Sequence, residues 1–266
     1  SLLFGKTFRN IMTEQKKAMP YYVQDKKVIE EIKSQNPDYV SRLSFVQSEG
    51  YPFYRNTDFE YYAPCEEGFE CMLDELRKAE KYIFMEYFII EEGVMWNSIL
   101  SILEEKVKQG VEVRVMYDDM GSLNTLPASY VKVLQKKGIK AVSFNRISPI
   151  INIIMNHRDH RKILVIDGKV AFSGGANLAD EYINKKIVHG HWMDNIICVK
   201  GNAVWSYLVT FLTNWNALCH EDEDYTVFKN TETIDESNCD GYIAPYAETP
   251  LDEELTGQCI YEDILN

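Results

Sequence analysis

Between His157 and Asn177 the chain brings together an imidazole (His160), an ammonium group (Lys162), a carboxamide (Asn177) and two adjacent glycines, Gly174 and Gly175. Arg161 to Ile166 is β-branched and apolar, stops at Asp167-Gly168, and is followed at once by Val170 to Ser173. That pattern predicts two strands joined by a two-residue turn. Side chains alternate along a strand, so His160 and Lys162 share a face and Asp167 does not. Asp167 is roughly 23 Å from His160 along an extended strand, too far to hold the imidazole, and is assigned to the turn. In this register Ile166 faces Lys169, Ser173 faces Lys162 and Gly175 faces His160, so the glycines return beside the histidine. The set suits a phosphodiester. Lys162 can neutralise a non-bridging oxygen, Asn177 can donate to another, and the glycine amides can come close to the ligand. His160 can attack phosphorus or pass a proton to the leaving alkoxide. This chemistry calls for neither a metal nor an organic cofactor.

The pattern His160-x-Lys162-x4-Asp167-x6-Gly174-Gly175-x-Asn177 resembles the signature of the phospholipase D superfamily. Its flanks, Asn156 to Lys162 and Ala176 to Asn184, are similar to those of bacterial cardiolipin synthases. The resemblance implies a mixed β-sheet with helices on both faces. It places His160, Lys162 and Asp167 in the catalytic set, and Lys162, Asn177, Gly174 and Gly175 around the substrate phosphate. It also implies an acidic residue bonded to the inner nitrogen of the catalytic histidine, and Asp194 is the matching position. Members use two signatures, one histidine becoming the phospho-linked nucleophile and the other the general acid. This chain carries one, so the resemblance implies half of an enzyme, completed by a second phospholipase D-like domain or a symmetric homodimer partner. The first-copy histidine is usually taken as the nucleophile, although the residues themselves leave the role of His160 open. The implied reaction is phosphatidyl transfer between two phosphatidylglycerol molecules at a membrane surface, giving cardiolipin. Because the signature reads the phosphate and says little about its substituents, a phosphodiesterase or nuclease is a second reading. A catalytically idle membrane-associated scaffold is a third.

Charge separates these classes. The 266 residues are 45% apolar and carry a net charge of −13. Fourteen Asp/Glu against one Lys from Leu218 onward account for all of it, leaving residues 1–217 balanced. From Val131 to Ile187 there are eleven Lys/Arg against four Asp/Glu, a local excess that suits an anionic headgroup. A near-neutral body with an acidic tail argues against tight duplex binding, which needs several unopposed cations, so no nucleic-acid partner is expected. Cys65, Cys71, Cys198, Cys219, Cys239 and Cys259 show no zinc spacing and read as reduced and cytosolic-facing. No apolar run is long enough to span a bilayer, so this chain alone is expected to be soluble. Full-length cardiolipin synthases carry N-terminal membrane helices. By that resemblance Ser1 to Phe4 with Lys6, Arg9, Lys16 and Lys17 reads as a cytosolic flank; by itself it reads equally as a frayed terminus.

The elements that must position the signature follow from periodicity. Helices are expected over Lys26–Lys33, Pro37–Val46, Glu67–Ala79, Asn97–Lys108, Ala128–Lys137 and Asn202–Asn216, and strands over Tyr82–Ile90, Val111–Tyr117, Lys140–Phe144 and up to Val199. Their alternation argues for an α/β sheet. Three domains are read: residues 1–50 as a juxtamembrane segment with short helices, 51–217 as the catalytic domain, and 218–266 as an acidic linker and the truncated start of a second repeat. Glu86 interrupts an apolar strand and should have a structural partner. Asp118-Asp119 reads as a cap or loop anchor. Pro149 to Met155 is either core or a lipid-facing lip of the site. His189 and His191 lack a third ligand and read as exposed or supporting histidines. Glu221 to Asp224 reads as a solvated connector.

Overall fold

A computed structural model describes residues 6–35, 37, 46–48, 50–145, 158–188, 190–232, 239, 241–247 and 256–265. The segments Ser1 to Phe4 and Pro149 to Met155, with His157 and His189, lie outside them, as does most of the helix expected over Pro37–Val46. Seven strands form one sheet: β1 (Thr57–Tyr62), β2 (Tyr82–Tyr87), β3 (Glu112–Asp118), β4 (Lys140–Phe144), β5 (Lys162–Ile166), β6 (Val170–Gly174) and β7 (Ile196–Gly201). Their order is β1-β7-β6-β5-β2-β3-β4. β2, β3 and β4 are parallel, while β5, β6, β7 and β1 add antiparallel neighbours. Parallel neighbours need crossovers, and helices α4 (Val94–Lys108) and α5 (Tyr130–Lys136) supply them. The architecture is therefore the α/β sheet that the alternation predicts, with the mixed strand directions that the resemblance implies.

Both faces are covered because both parities are apolar. Ile83, Met85 and Tyr87 join Val113, Val115 and Leu164 against α3 (Cys65–Lys78), α4 and α5. Phe84, Met116, Ile163, Val165 and Ala171 meet α6 (Val204–Cys219) through Leu208, Phe211, Leu212 and Trp215. Each buried Val, Leu, Ile, Met or Phe among them contributes roughly 2 kcal/mol by leaving water. Helix α1 (Lys6–Ala18), which the sequence reading does not anticipate, packs along α6 and adds Ala18 to this core. Helix α2 (Lys26–Gln35) follows it. Strand β1 is also unanticipated. It is an edge strand with Phe59 and Tyr61 exposed, so its pattern lacks the apolar alternation that marks a half-buried strand.

Two expectations are corrected. The β5–β6 turn does centre on Asp167 and Gly168, at φ 53° and 65°, and Lys169 N–H donates to Ile166 C=O at 2.9 Å. Pairing resumes one residue later than expected, with Leu164 opposite Phe172, Val165 opposite Ala171 and Ile166 opposite Val170. Lys169 is the extra residue, its carbonyl taken by Gly201 N–H at 3.3 Å. A one-residue slip exchanges the two faces of a strand, and this register is the one that puts Leu164 and Phe172 in the same core.

The acidic stretch after α6 is not a solvated connector. Glu223 makes a bidentate pair with Arg114 (2.6 and 2.8 Å), and Glu221 accepts from the Trp215 indole (2.9 Å). The Arg114 guanidinium is buried against Phe84, Trp215 and Phe228 at 4.7 to 5.2 Å. Near the end, helix α7 (Thr256–Leu265) falls within the stretch read as the start of a second repeat. Among the described residues no helix is long and apolar enough to cross a membrane.

Candidate active site

The site lies where β2 ends, β5 begins and β6 ends. Asp118, at the end of β3, sets the approach to β5. Its carboxylate accepts from Met120 and Gly121 N–H (2.9 and 3.0 Å), which anchors its own loop, and from Asp159 N–H at 3.1 Å. Arg158 pairs with the same carboxylate at 3.5 Å and donates to Asn145 C=O at 3.1 Å. The residue before the histidine is thus held from the neighbouring crossover.

His160 is exposed, its ring 4.8 Å from that of Phe88, whereas Lys162 is only 5% exposed. The Lys162 ammonium lies 2.6 Å from His160 C=O, 3.0 Å from His160 Nδ1 and 5.4 Å from the Phe88 ring centroid. Burial pushes the Lys162 amine down to about 8, although the carboxylates of Asp159 and Asp194 act to raise it. Burial, followed by the Lys162 charge, also lowers His160, against a raising effect of Asp159. An ammonium can only donate, so beside charged Lys162 the Nδ1 atom is an acceptor and the neutral ring carries its proton on Nε2. Among the described residues Nε2 has no partner.

The other predicted residues do not all converge on this pair. Asn177 is buried and engaged: its Oδ1 accepts from Ile89 N–H (3.1 Å), and its Nδ2 donates to the Tyr182 hydroxyl (2.7 Å). It braces the loop after β2 against the loop after β6. The amides of Gly175 and Ala176 donate to Asn195 C=O at 3.2 and 3.4 Å, and Gly174 pairs with Ile196. A Cβ on Gly175 would lie 1.9 Å from Asp194 Oδ1, and one on Gly174 2.4 Å from Asn195 C=O. The glycines therefore admit the close approach of the chain entering β7.

Asp167 stays at the far end of β5, where its carboxylate accepts from the N–H groups of Glu80, Lys81 and Tyr82 at 2.7 to 2.8 Å. The structure does not bring it to His160. Asp194 lies closer to the site. Its carboxylate accepts from Asn195 N–H (2.8 Å) and its charge acts on Lys162, but the group on His160 Nδ1 is Lys162, where the resemblance implied a carboxylate.

Glu86 has its structural partners. Buried at the centre of the sheet, it accepts from Asn214 of α6 at 2.7 Å and faces Arg161 at 3.5 Å. His191 is exposed. Among the described residues no group of three or more His, Cys, Asp or Glu could hold a metal ion. Sequence reasoning missed Phe88 and Asp159. Asp159 adjoins His160 in the signature, and an acidic residue beside a candidate catalytic imidazole was a readable signal. Phe88 carried none, being one apolar residue in an apolar run.

Comparisons with known proteins complete the picture. Residues 72–208 match the family model described as cardiolipin synthase, phospholipase D-like domain. An uncharacterized protein of Streptococcus mutans is 46% identical over 248 residues, which is 93% of this chain and 53% of that one. Cardiolipin synthase 2 of Staphylococcus epidermidis is 36% identical over 167 residues, 63% of this chain and 34% of that one. The chain thus spans about half, or less, of the length of these relatives. Among solved structures, the phospholipase D family member Nuc from Salmonella typhimurium aligns with a TM-score of 0.47 at 19% identity, covering 60% of this chain and 95% of that one.

Proposed function

The chain belongs to the phospholipase D-like domain family of cardiolipin synthases, and from that membership we propose that it is one half of a phosphatidyltransferase that joins two phosphatidylglycerol molecules into cardiolipin. The observation that carries this reading is an exposed imidazole with a buried ammonium 3.0 Å from its inner nitrogen. Such a pair offers a nucleophile for phosphorus beside a fixed positive charge for the phosphate.

The reaction runs in two displacements. As a phosphodiester enters, Lys162 turns its charge to a non-bridging oxygen and releases Nδ1. The ring proton then moves to Nδ1, with Asp194 as the carboxylate that accepts its hydrogen bond, and Nε2 becomes free to attack. The N–P bond forms, the P–O bond to glycerol breaks, and the departing alkoxide takes a proton from a general acid supplied by a second signature-bearing domain or a second copy of the chain. In the second displacement that group, now a base, removes the proton from a hydroxyl of another phosphatidylglycerol. Its oxygen bonds to phosphorus, and the N–P bond breaks. Dividing one difficult substitution into two through a covalent intermediate is what the nucleophile contributes.

The test is mass spectrometry of the lipids formed when the chain is incubated with phosphatidylglycerol vesicles, with His160→Ala in parallel. Cardiolipin from the unaltered chain alone is the expected result. Phosphatidic acid without cardiolipin would make the site a hydrolase. Equal product from both proteins would remove His160 from the chemistry.

A further inference from the structure

Glu86 is a buried titratable group that the two displacements leave unused. It stands in β2 at the middle of the sheet, between Met116 of β3 and Ile163 of β5, and is fully buried. Its side chain shares the α6 side of the sheet with that of Phe84, two residues earlier in the strand. A carboxyl group in such a place must be paired or neutral. Its two oxygens are served unequally. Oε1 accepts from Asn214 Nδ2 of α6 at 2.7 Å and faces the Arg161 guanidinium at 3.5 Å. Oε2 is enclosed, and among the described residues no donor reaches it.

A second carboxyl, that of Asp159, lies within hydrogen-bond reach of Glu86. Asp159 is itself buried and held in place: its N–H donates to the Asp118 carboxylate at 3.1 Å, and its Oδ1 accepts from Arg161 N–H at 3.2 Å. Two ionised carboxyls so placed repel, with no donor between them. A proton on Glu86 Oε2 turns the repulsion into a hydrogen bond and gives that oxygen its partner. The proton belongs on Glu86, because Asp159 already accepts from a backbone amide and has the Arg161 and Lys162 charges acting on it. Burial, followed by the Asp159 charge, pushes Glu86 well above the usual carboxylate range, although Arg161 and Asn214 act to lower it. Asp159 in turn reaches the catalytic pair, since its charge acts to raise both His160 and Lys162.

We propose that Glu86 is a positioning residue for the catalytic histidine: it is a carboxylic acid that donates a hydrogen bond to the Asp159 carboxylate and so fixes a negative charge next to His160. The inference rests on the reading of His160 as the reacting group and extends it to what holds that group's surroundings. Glu86 touches neither substrate nor imidazole and acts through Asp159. Asn214 and Arg161 orient the acid by taking its other oxygen, so α6 reaches the site through this one side chain.

Isotope-edited infrared spectroscopy of the chain at neutral pH tests where the proton is. The carbonyl stretch of a protonated carboxyl should be present, move when the glutamates carry heavy carbon, stay when only the aspartates do, and vanish in Glu86→Gln. An NMR titration of His160 tests the positioning. The Glu86→Gln amide still donates to Asp159, so its His160 midpoint should match that of the unaltered chain. Glu86→Leu offers no donor and holds the Asp159 charge less well, so its midpoint should lie lower. An ionised Glu86 would instead make both variants, each losing a negative charge, lower the midpoint alike. Absence of the protonated band, a band that follows aspartate, or a midpoint that responds equally in both variants overturns the proposal. If Glu86→Gln fails a melting control, Asp159→Asn takes its place in the infrared test: the glutamate band should shift because the acid's acceptor has changed, and an unmoved band counts against the proposal. None of these readouts uses turnover. The proton can therefore be refuted with the transferase reading intact, and that reading fails only in the lipid assay.

Discussion

Lys162 and His160 differ in exposure, and that difference sets the pH range in which they can cooperate. The imidazole must be neutral to attack and the ammonium charged to hold phosphate. Since His160 titrates below its ordinary 6.5 and Lys162 near 8, both conditions are met between those limits. The value of kcat/KM should therefore fall on the acid side as His160 gains a proton, and on the alkaline side near pH 8 as Lys162 loses one. A guanidinium does not deprotonate in this range, so Lys162→Arg should carry the alkaline limb upward in whatever activity remains. A limb still near 8 in that variant would assign it to another group. Asp167 belongs to the same signature but to a different task, because its carboxylate satisfies three backbone amides at the start of β2. Asp167→Asn should lower stability by about 2 kcal/mol, since bonds to a charged acceptor are the stronger kind, while kcat per folded molecule stays the same. Chemical denaturation and active-site titration separate the two. A large loss of kcat at unchanged stability would return Asp167 to the chemistry.

Among the elements, α6 does the most to hold the sheet in shape. It covers Phe84, Ile163 and Val165 on one side, receives α1 on the other, and sends Asn214 to Glu86 under the start of β5. The acidic stretch that follows it locks β3 by folding Glu223 back on Arg114. Desolvation works against the buried guanidinium, yet Glu223 and Glu112 hold its pKa above the ordinary value. Removing one partner of such a pair leaves a charge buried with less compensation. Glu223→Gln should cost about 3 kcal/mol, although the body of the sheet is untouched. Replacing Arg114 and Glu223 together by Met and Gln should recover part of that loss, because the orphaned charge is then gone. A double-mutant cycle in urea measures both, and additive effects would deny the pairing any role in stability.

At the scale of the molecule, one signature is half of what the proposed reaction needs. The chain spans 53% of the Streptococcus mutans relative and 34% of Staphylococcus epidermidis cardiolipin synthase 2. With one signature histidine in this chain, the proposed reaction takes its nucleophile and its general acid from two chains or from a second domain. The specific activity of the isolated chain should therefore rise with its concentration, following the fraction of paired chains seen by sedimentation. Constant specific activity on dilution would show that a single signature suffices. The segment Ile243 to Ala247 is tied back to the body of the chain through Tyr54 and Tyr51.

The sequence by itself determined the chemistry and the layers. Residue types at short spacing decide what a strand can present, so His160 and Lys162 on one face were legible from alternation. The alternation of apolar runs was enough to foretell an α/β sheet, and the resemblance supplied the mixed strand directions and the helices on both faces. Tertiary structure decided what each polar group is used for, since a hydrogen bond depends on who arrives from elsewhere in the chain. Asn177, Gly174 and Gly175 look ready for phosphate in the sequence, yet in the fold they meet Tyr182 and the chain entering β7. Asp159 and Phe88 gained their places beside His160 from β3 and β2, and the acidic stretch gained Arg114. Strand β1 and helix α1 were illegible because an exposed edge and a terminal amphipathic helix acquire meaning only from the surface they cover. Spacing along the chain is local and can be read directly, whereas the partner of a buried polar group is fixed by packing between segments a hundred residues apart.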